Sequence, residues 1–393
     1  MKCPWWSGNE SIFFNKPLLF LPNTYPMKKN ILVSLALFLM FASACTRQMN
    51  DSANIEHLNE NANENAANAL KGAGSKIIVA ADQKNERLVM IDLNRDNQEI
   101  WEWKAAEDKN VSPDHLRWFI NLDEAKPVFD GKYLMTTASG GGVALIHIAS
   151  RKTAWYGYAG GNTHSAEVLP DGNIVTASTA GNALTLFVTD PEDTTGRKIV
   201  YDFPDVHNCV WDKTRELLWA AGKNRIRAYK YNNDRKNPAL TLFKTVNMPQ
   251  GNAHDLFPVY GSTDELWLSN SSHIYTYNIT RNKFTEHKTK TGAIITTVKS
   301  IQNGPEGYVT FMDQANGLGG ESWRTDRLTD FDGNIIYQND NVGFYKARYL
   351  LNNSFSYPDK HKFQQVFNGH GGGNEEAAND ITTAIEENDS HVK

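Results

Sequence analysis

Apolar and polar positions alternate with a period of two in short runs from residue 76 to about residue 357, the pattern of half-buried strands. The runs predict three strands at 76–81, 87–93 and 99–104, then four at 125–129, 132–137, 143–148 and 153–158. Further groups of four fall at 165–169, 173–178, 183–189 and 198–203; at 208–211, 216–220, 225–231 and 241–246; and at 255–260, 265–269, 273–279 and 283–287. A last full group covers 298–302, 307–312, 323–331 and 334–338, and 345–351 stands alone. Residues 112–121, with Trp118 among them, read as a loop.

The clearest unit is Gly160 to Leu186. A strand opened by His164 runs into the Pro170-Asp171-Gly172-Asn173 turn and a second strand, and a small-residue turn leads to a third. Its opening recurs at His207 and His254, and then at Lys299 and Lys346, with a spacing of about 45 residues. Four strands at that period are the signature of propeller blades, and a sandwich has no such higher-order repeat. The lone C-terminal strand and the three N-terminal ones complete one composite blade, which removes free sheet edges. The expectation is an all-β, six-bladed β-propeller closed in this way. Seven blades are the alternative, if strands are hidden between Asn94 and Lys126.

Composition changes this picture little in the folded part and a great deal at the ends. Met27-Lys28-Lys29-Asn30 followed by the apolar run 31–44 suits a signal segment, too short to span a bilayer comfortably. It ends in Ala42-Ser43-Ala44-Cys45, a lipoprotein-type cleavage box. The expected organisation is an upstream leader at 1–26, a lipoprotein signal peptide at 27–44, a flexible Asn-, Ala- and Glu-rich tether at 45–75, the propeller at 76–357 and a disordered tail at 358–393. Lipid on Cys45 would anchor the protein to a membrane of the cell envelope, periplasmic or at the outer-membrane surface. A net charge of −5 argues against a nucleic-acid partner, which needs a basic surface. Of the three cysteines, Cys209 sits in an apolar strand and reads as a buried, inert thiol.

Candidate chemistry lies where the first strand of each blade begins, because that strand lies nearest the axis. Equivalent positions carry Asp123 or Glu124, His164, His207, His254, Lys299 and Lys346, with Arg348 two residues on. Beside them stand Asn162, Glu167, Trp211, Asp255 and Ser300. Packing alone would put small or apolar residues at an axis, so three imidazoles and two amines there point to a ligand site. Any one of these histidines would equally serve to hydrogen-bond a neighbouring turn.

His164, His207, His254, Lys299 and Lys346 are the candidate catalytic set. The three histidines can hold a divalent metal ion with an open position, although no local motif such as His-Glu-x-x-His supports one. Without metal, the lysines and Arg348 form a cationic pocket in an acidic protein, Arg348 gripping a carboxylate or sulfate in bidentate fashion. Trp118, Trp211 and Trp323 offer flat faces for sugar rings, and Arg324 follows a Gly-rich turn that can project over the mouth. These types fit an anionic, uronate-containing glycan. They also fit its cleavage by β-elimination, with a neutral His or Lys as base, or hydrolysis through Glu167 and Asp255. A non-catalytic carbohydrate- or protein-binding propeller scaffold, monomeric in either case, is the alternative. Gly140-Gly141-Gly142 and Gly317-Leu318-Gly319-Gly320 are turns rather than phosphate cradles.

Gly161-Asn162-x-His164-Ser165-x-Glu167-x-x-Pro170-Asp171-Gly172-Asn173, Val210-Trp211-Asp212, His254-Asp255-Leu256-Phe257-Pro258, Val298-Lys299-Ser300 and Tyr345-Lys346-Ala347-Arg348 together resemble a family of exported bacterial six-bladed propeller lipoproteins. The resemblance spans about residues 76–355 and implies the fold and export, but no activity. More distantly, His at the head of inner strands is similar to oligogalacturonate lyases, propellers with a metal and a basic residue on the axis. The His164 to Asn173 run also resembles bacterial arylsulfotransferases. The chain lacks the full motif set of either, so neither activity is carried over.

Overall fold

A computed structural model describes residues 76–357 apart from 130, 191, 194, 305, 306, 308 and 314–322, and the side chains of 309–313 are left aside. These residues lie in the second of the two units into which the chain divides, Asn59–Lys393. The expectations for the leader, the signal segment, Cys45, the tether, the tail and the Gly317 turn fall outside the described residues.

Among the described residues every regular element apart from two short 3₁₀ helices is a strand, and the strands form six four-stranded antiparallel sheets. The chain opens with β1 (Ile77–Asp82), β2 (Arg87–Asp92) and β3 (Gln98–Trp103). Next come β4 (Lys126–Val128), β5 (Tyr133–Thr137), β6 (Gly142–His147) and β7 (Lys152–Tyr158), then β8 (Thr163–Val168), β9 (Ile174–Ser178), β10 (Ala183–Phe187) and β11 (Lys198–Asp202). The fourth group is β12 (Asn208–Asp212), β13 (Leu217–Ala221), β14 (Arg225–Tyr231) and β15 (Leu240–Asn247). The fifth is β16 (Ala253–Pro258), β17 (Glu265–Asn270), β18 (Ile274–Asn278) and β19 (Lys283–His287). The last is β20 (Val298–Asn303), β21 (Val309–Asp313), β22 (Arg327–Thr329) and β23 (Ile335–Gln338), followed by β24 (Phe344–Tyr349).

Each sheet is a plain meander except the one that joins the chain ends, where β24 pairs with β1 and the order is β24-β1-β2-β3. The register Ile78↔Tyr349, Val79↔Arg348, Ala80↔Ala347 makes this pairing antiparallel. The protein is an all-β propeller. Every strand expected from the alternation overlaps an observed one. Between Asn94 and Lys126, where the seven-bladed alternative needed further strands, the chain forms 3₁₀ helices at Ala105–Glu107 and Pro113–Phe119. The second of these replaces the expected loop and buries Trp118 and Phe119.

The core is distributed between neighbouring sheets, as a radial stack of twisted sheets requires. Trp219, Tyr277, Leu256 and Leu268 fill one such layer, and Trp211, Phe203, Leu184 and Tyr229 another. Strand β24 leaves the axis at Tyr349, and residues 351–357 then turn back beneath the inner strands. Phe355 is buried with Val210 and Leu256, while Tyr357 packs against Val128 and Phe129. Lys213 fastens the segment through its backbone N–H to the Phe355 carbonyl and its Nζ to the Tyr357 carbonyl.

Phe355→Ala is expected to destabilise the protein by about 3–5 kcal/mol, the usual cost of emptying a buried aromatic site. Urea unfolding of the two proteins measures it. A loss below about 1 kcal/mol would mean the segment only drapes over the base.

Candidate functional site

The start of each inner strand is built alike. Asn121, Asn162, Asp205, Asn252 and Thr297 all adopt the left-handed conformation, with φ of 50–60°. Asn and Asp tolerate this region; the β-branched Thr297 does so at a cost. Two residues later stand Asp123, His164, His207, His254 and Lys299, and in the sixth sheet Tyr345 follows Gly343 by the same step. Register then slips between Thr163 and Ser165, between Ala253 and Asp255, between Val298 and Ile301, and opposite Tyr345 and Lys346. These are β-bulges, which leave one residue unpaired and re-aim its side chain. The mouth of the axis is therefore Asp123, His164, His207, His254, Lys299 and Tyr345. Lys346 was expected as its sixth member; the bulge makes Tyr345 the equivalent position and sets Lys346 one step deeper.

The mouth is a packed ring. His164 lies parallel between His207, at 5.0 Å and 6°, and Tyr345, at 5.3 Å and 14°. His254 meets His207 edge-on at 5.3 Å. Lys299 Nζ sits 3.1 Å from His254 Nδ1 and 5.7 Å from the centre of the Tyr345 ring. His254 also contacts Ser271 Oγ at 3.0 Å through Nε2, and His207 Nδ1 lies 3.0 Å from the Asp205 carbonyl. Tyr345 and His164 are buried, whereas His254 and Lys299 are half-buried and reachable from solvent.

Below the mouth lies a layer of buried ions. Arg348 donates Nη1 and Nη2 to the two Asp255 oxygens at 2.7 Å each, and Nε to Glu124 Oε1 at 3.2 Å. Its guanidinium carbon rests 4.0 Å over the centre of the Phe257 ring. Lys346 donates to the His164 carbonyl at 3.0 Å and to Asn208 Oδ1 at 3.1 Å, with Glu124 Oε2 at 3.6 Å. Lys126 donates to the carbonyls of Ala166 and Cys209, at 2.8 and 2.9 Å, and lies 3.5 Å from Glu167 Oε2. Glu167 in turn accepts from the Tyr357 hydroxyl and from the Trp211 N–H.

Three roles assigned from the sequence are corrected by this layer. Arg348 cannot grip an anionic ligand, because its hydrogen-bonding edges are spent on Asp255 and Glu124. Lys346 is fully buried on protein acceptors, away from any substrate. Glu167 and Asp255 are each held by a cation and a backbone N–H, which leaves no room for paired-carboxylate hydrolysis.

The aromatic platforms mostly fail too. Trp118 is buried and stacked on His115 at 3.7 Å, and Trp211 is buried against Tyr231. Trp323 is 41% exposed, and the Arg324 Cδ would lie 3.0 Å from a Cβ on Gly343, placing Arg324 at the rim. Asn162 sits in the turn that leads to His164, with its Oδ1 buried and unbonded. Sequence reasoning missed Tyr345, Lys126 and Gln83. Lys126 stands in a three-residue strand whose alternation gives little signal, and Gln83 lies just past the end of β1.

Burial and neighbouring amines decide the charge states. Burial, reinforced by Lys346 and Lys299, holds the His164 imidazole well below its ordinary pKa. Burial with His164 does the same for His207, and burial with Lys299 for His254. Burial and repulsion from Lys346 lower Lys299 to about 8. Burial raises Asp123 well above its ordinary value, against the pull of Lys346. Glu124 goes the other way: burial would raise it, but Arg348, Lys346 and Lys126 prevail and hold it at about 2. In Arg348 burial is likewise outweighed, by Asp255 and Glu124, and the guanidinium stays charged. Burial pushes the Cys209 thiol up to about 12, so it is inert at neutral pH.

The three imidazoles do not suit a divalent ion. Parallel stacked rings cannot turn their nitrogens onto one centre, and among the described residues no group of three His, Cys, Asp or Glu is spaced to hold a metal.

Fold and site together define a β-propeller with a polar mouth of histidines, a lysine and a tyrosine on its axis. The match to a family model over residues 27–366 makes the chain a member of the family of unknown function DUF6528. No curated protein matches it. Among solved structures it is similar to a protein of unknown function from Bacteroides caccae, at 12% identity and a TM-score of 0.43, covering 67% of this chain and 93% of that one. It is also similar to the hydrazine synthase of Kuenenia stuttgartiensis, at 13% identity and a TM-score of 0.36, covering 51% and 58%.

Arg348→Met leaves Asp255 and Glu124 buried without their cation and is expected to cost about 3–5 kcal/mol at pH 7. The deficit relative to wild type should shrink towards pH 5, where Glu124, released from the guanidinium that holds it low, recovers its proton; urea titrations at both pH values read it. The histidines give a second signature. Their folded pKa values are depressed, so below about pH 6.5 the unfolded chain binds protons that the native one refuses, and stability falls with pH. In His164→Gln/His207→Gln that decline between pH 7 and 5 should be shallower, and an unchanged slope would assign it elsewhere.

Proposed function

We propose that the protein binds an anionic, uronate-containing glycan at the axial mouth, through Lys299 with His254 and His207 beside it. The observation that carries this reading is the charge balance. The buried layer pairs Arg348, Lys346 and Lys126 with Asp255, Glu124 and Glu167, three cations against three carboxylates. At the mouth burial disfavours the charged forms of the histidines and of Asp123 alike, while Lys299 has no carboxylate within 4 Å among the described residues. The amine thus touches no carboxylate, Asp205 and Asp123 acting on it only at longer range, and it stands on an aromatic and imidazole floor that suits a sugar face.

The same arrangement favours cleavage by β-elimination as a second reading. Lys299 would leave the His254 nitrogen to neutralise the uronate carboxylate, which acidifies the neighbouring C–H; the freed His254 lone pair would take that proton as the β C–O bond breaks, forming the C=C bond, while the departing oxygen takes a proton from water. The observation behind it is the 3.1 Å approach of amine and imidazole. The six sheets would be the blades of one closed ring. The protein would act as a monomeric envelope lipoprotein, tethered through Cys45, with the mouth turned to a periplasmic or surface glycan. Among the described residues no helix is long and apolar enough to cross a membrane.

Binding should weaken as pH rises through about 8, because the lowered Lys299 amine then loses its charge. Lys299→Arg should move that loss above pH 9, and Lys299→Met should reduce affinity for oligouronates at pH 7 at least tenfold. Calorimetric titration with uronate oligosaccharides gives the affinities, and formation of unsaturated uronate, followed by ultraviolet absorbance, tests cleavage. Unaltered affinity in Lys299→Met would overturn the reading.

A further inference from the structure

Two places round the ring from Lys299, beyond Tyr345, the mouth is built around Asp123. Its Oδ1 accepts from Gln83 Nε2 at 2.9 Å and its Oδ2 from Ser139 Oγ at 3.1 Å, while His164 Nδ1 lies 3.4 Å from Oδ2 without hydrogen-bond alignment. That leaves Gln83 Oε1 and His164 Nδ1 buried with no hydrogen-bond partner, on residues that are 3% and 6% exposed. Two neighbours repeat the pattern. Thr137, whose carbonyl accepts the Asp123 N–H, and Asn162, which opens the strand of His164, each have a buried side-chain oxygen without a partner. Buried polar atoms are almost always satisfied, so two beside one carboxyl are a feature that requires an occupant.

The chemistry of that occupant follows from what faces it. Gln83 Oε1 only accepts, so the occupant must donate; a carboxylate or sulfate cannot. A cation is opposed by Lys346 and Lys299, whose fields reach both Asp123 and His164. A group that donates and accepts without net charge meets both conditions, and a hydroxyl is the smallest. We propose that Gln83, Asp123 and His164 form a subsite for the hydroxyl groups of a sugar, separate from Lys299, which takes its anionic group. The proposal rests on the reading of the mouth as a glycan site and divides that site in two. Specificity would then come from this half, because a site built to hydrogen-bond a hydroxyl strongly rejects a ligand that lacks one.

The test uses the full-length protein and three probes in titrations followed by NMR: glucuronate, glucose, which lacks the carboxylate, and propionate, which lacks the hydroxyls. Gln83→Met should weaken glucuronate and glucose at least fivefold and leave propionate within about twofold, whereas Lys299→Met should weaken glucuronate and propionate and spare glucose. Gln83→Asn, which withdraws the carboxamide by one methylene, should act like Gln83→Met and guards against a folding defect, checked by thermal melts. Glucuronate affinity unchanged in both Gln83 variants overturns the subsite and assigns the unpaired atoms to ordered water. Failure of glucose and glucuronate to bind at about 50 mM overturns it as well. Gln83-sensitive binding of glucose with no Lys299 dependence for either acid supports the subsite while removing the anionic reading.

Discussion

Everything at the axis depends on burying three cations with three carboxylates. Arg348, on β24, holds Asp255 on β16 and Glu124 ahead of β4, and Lys346 on the same strand reaches β8 and Asn208 on β12. Lys126 on β4 closes the circuit to Ala166 on β8 and Cys209 on β12. Inner strands far apart in the chain are thus tied by ions that have nowhere else to find partners. Ion pairs of this kind add little to stability over apolar packing, but removing one member is costly because the other remains charged and dry. Their contribution is to specificity: only one arrangement of the inner strands satisfies every group. Since β24 carries two of the three cations, the network and the pairing of β24 with β1 enforce each other. The C-terminal strand must close the sheet for the axis to be neutral.

Much of this architecture is legible in the sequence because a strand period of two and a repeat of about 45 residues survive degeneration of the motif. His164, His207, His254 and Lys299 can be found at equivalent positions for the same reason. What cannot be read is the bulge. A bulge leaves the spacing between repeats unchanged to within the variation of the loops, yet shifts which residue faces the axis. Tyr345 and Lys346 are adjacent, and only coordinates show that the tyrosine joins the imidazoles while the lysine belongs to the layer below. Asp123 and Glu124 pose the same ambiguity, and the structure uses both, one at the mouth with its pKa raised by burial and one ionised beneath it.

Sequence reasoning also treated charge as a sign of exposure. Arg348 looked like an anion clamp because a free guanidinium has that geometry; Asp255 occupies the clamp. Lys126 and Gln83 drew no notice, one in a short strand and the other past a strand end, although both lie at the centre of the polar architecture. The lesson is specific to closed arrays. Residues opposite each other across an axis are separated by unrelated lengths of chain, so no local pattern announces the pair.

The far end of the axis bears on what the mouth can do. Tyr357 reaches Glu167 from below, and Phe355 fills the space beneath Val210 and Leu256, so the inner strands are stoppered by the segment that follows β24. Among the described residues this segment covers the inner strands at that end, and from the mouth the half-buried Lys299 and His254 come before the buried tyrosine and histidines. The stopper also explains how the mouth keeps its unusual charge states. Water admitted from below would solvate Asp123 and the imidazoles and return them towards ordinary behaviour, since burial is the largest cause of every one of these shifts. Sealing one end thus sets the electrostatics of the other, and the C-terminal segment belongs to the site although none of its residues touches the ring.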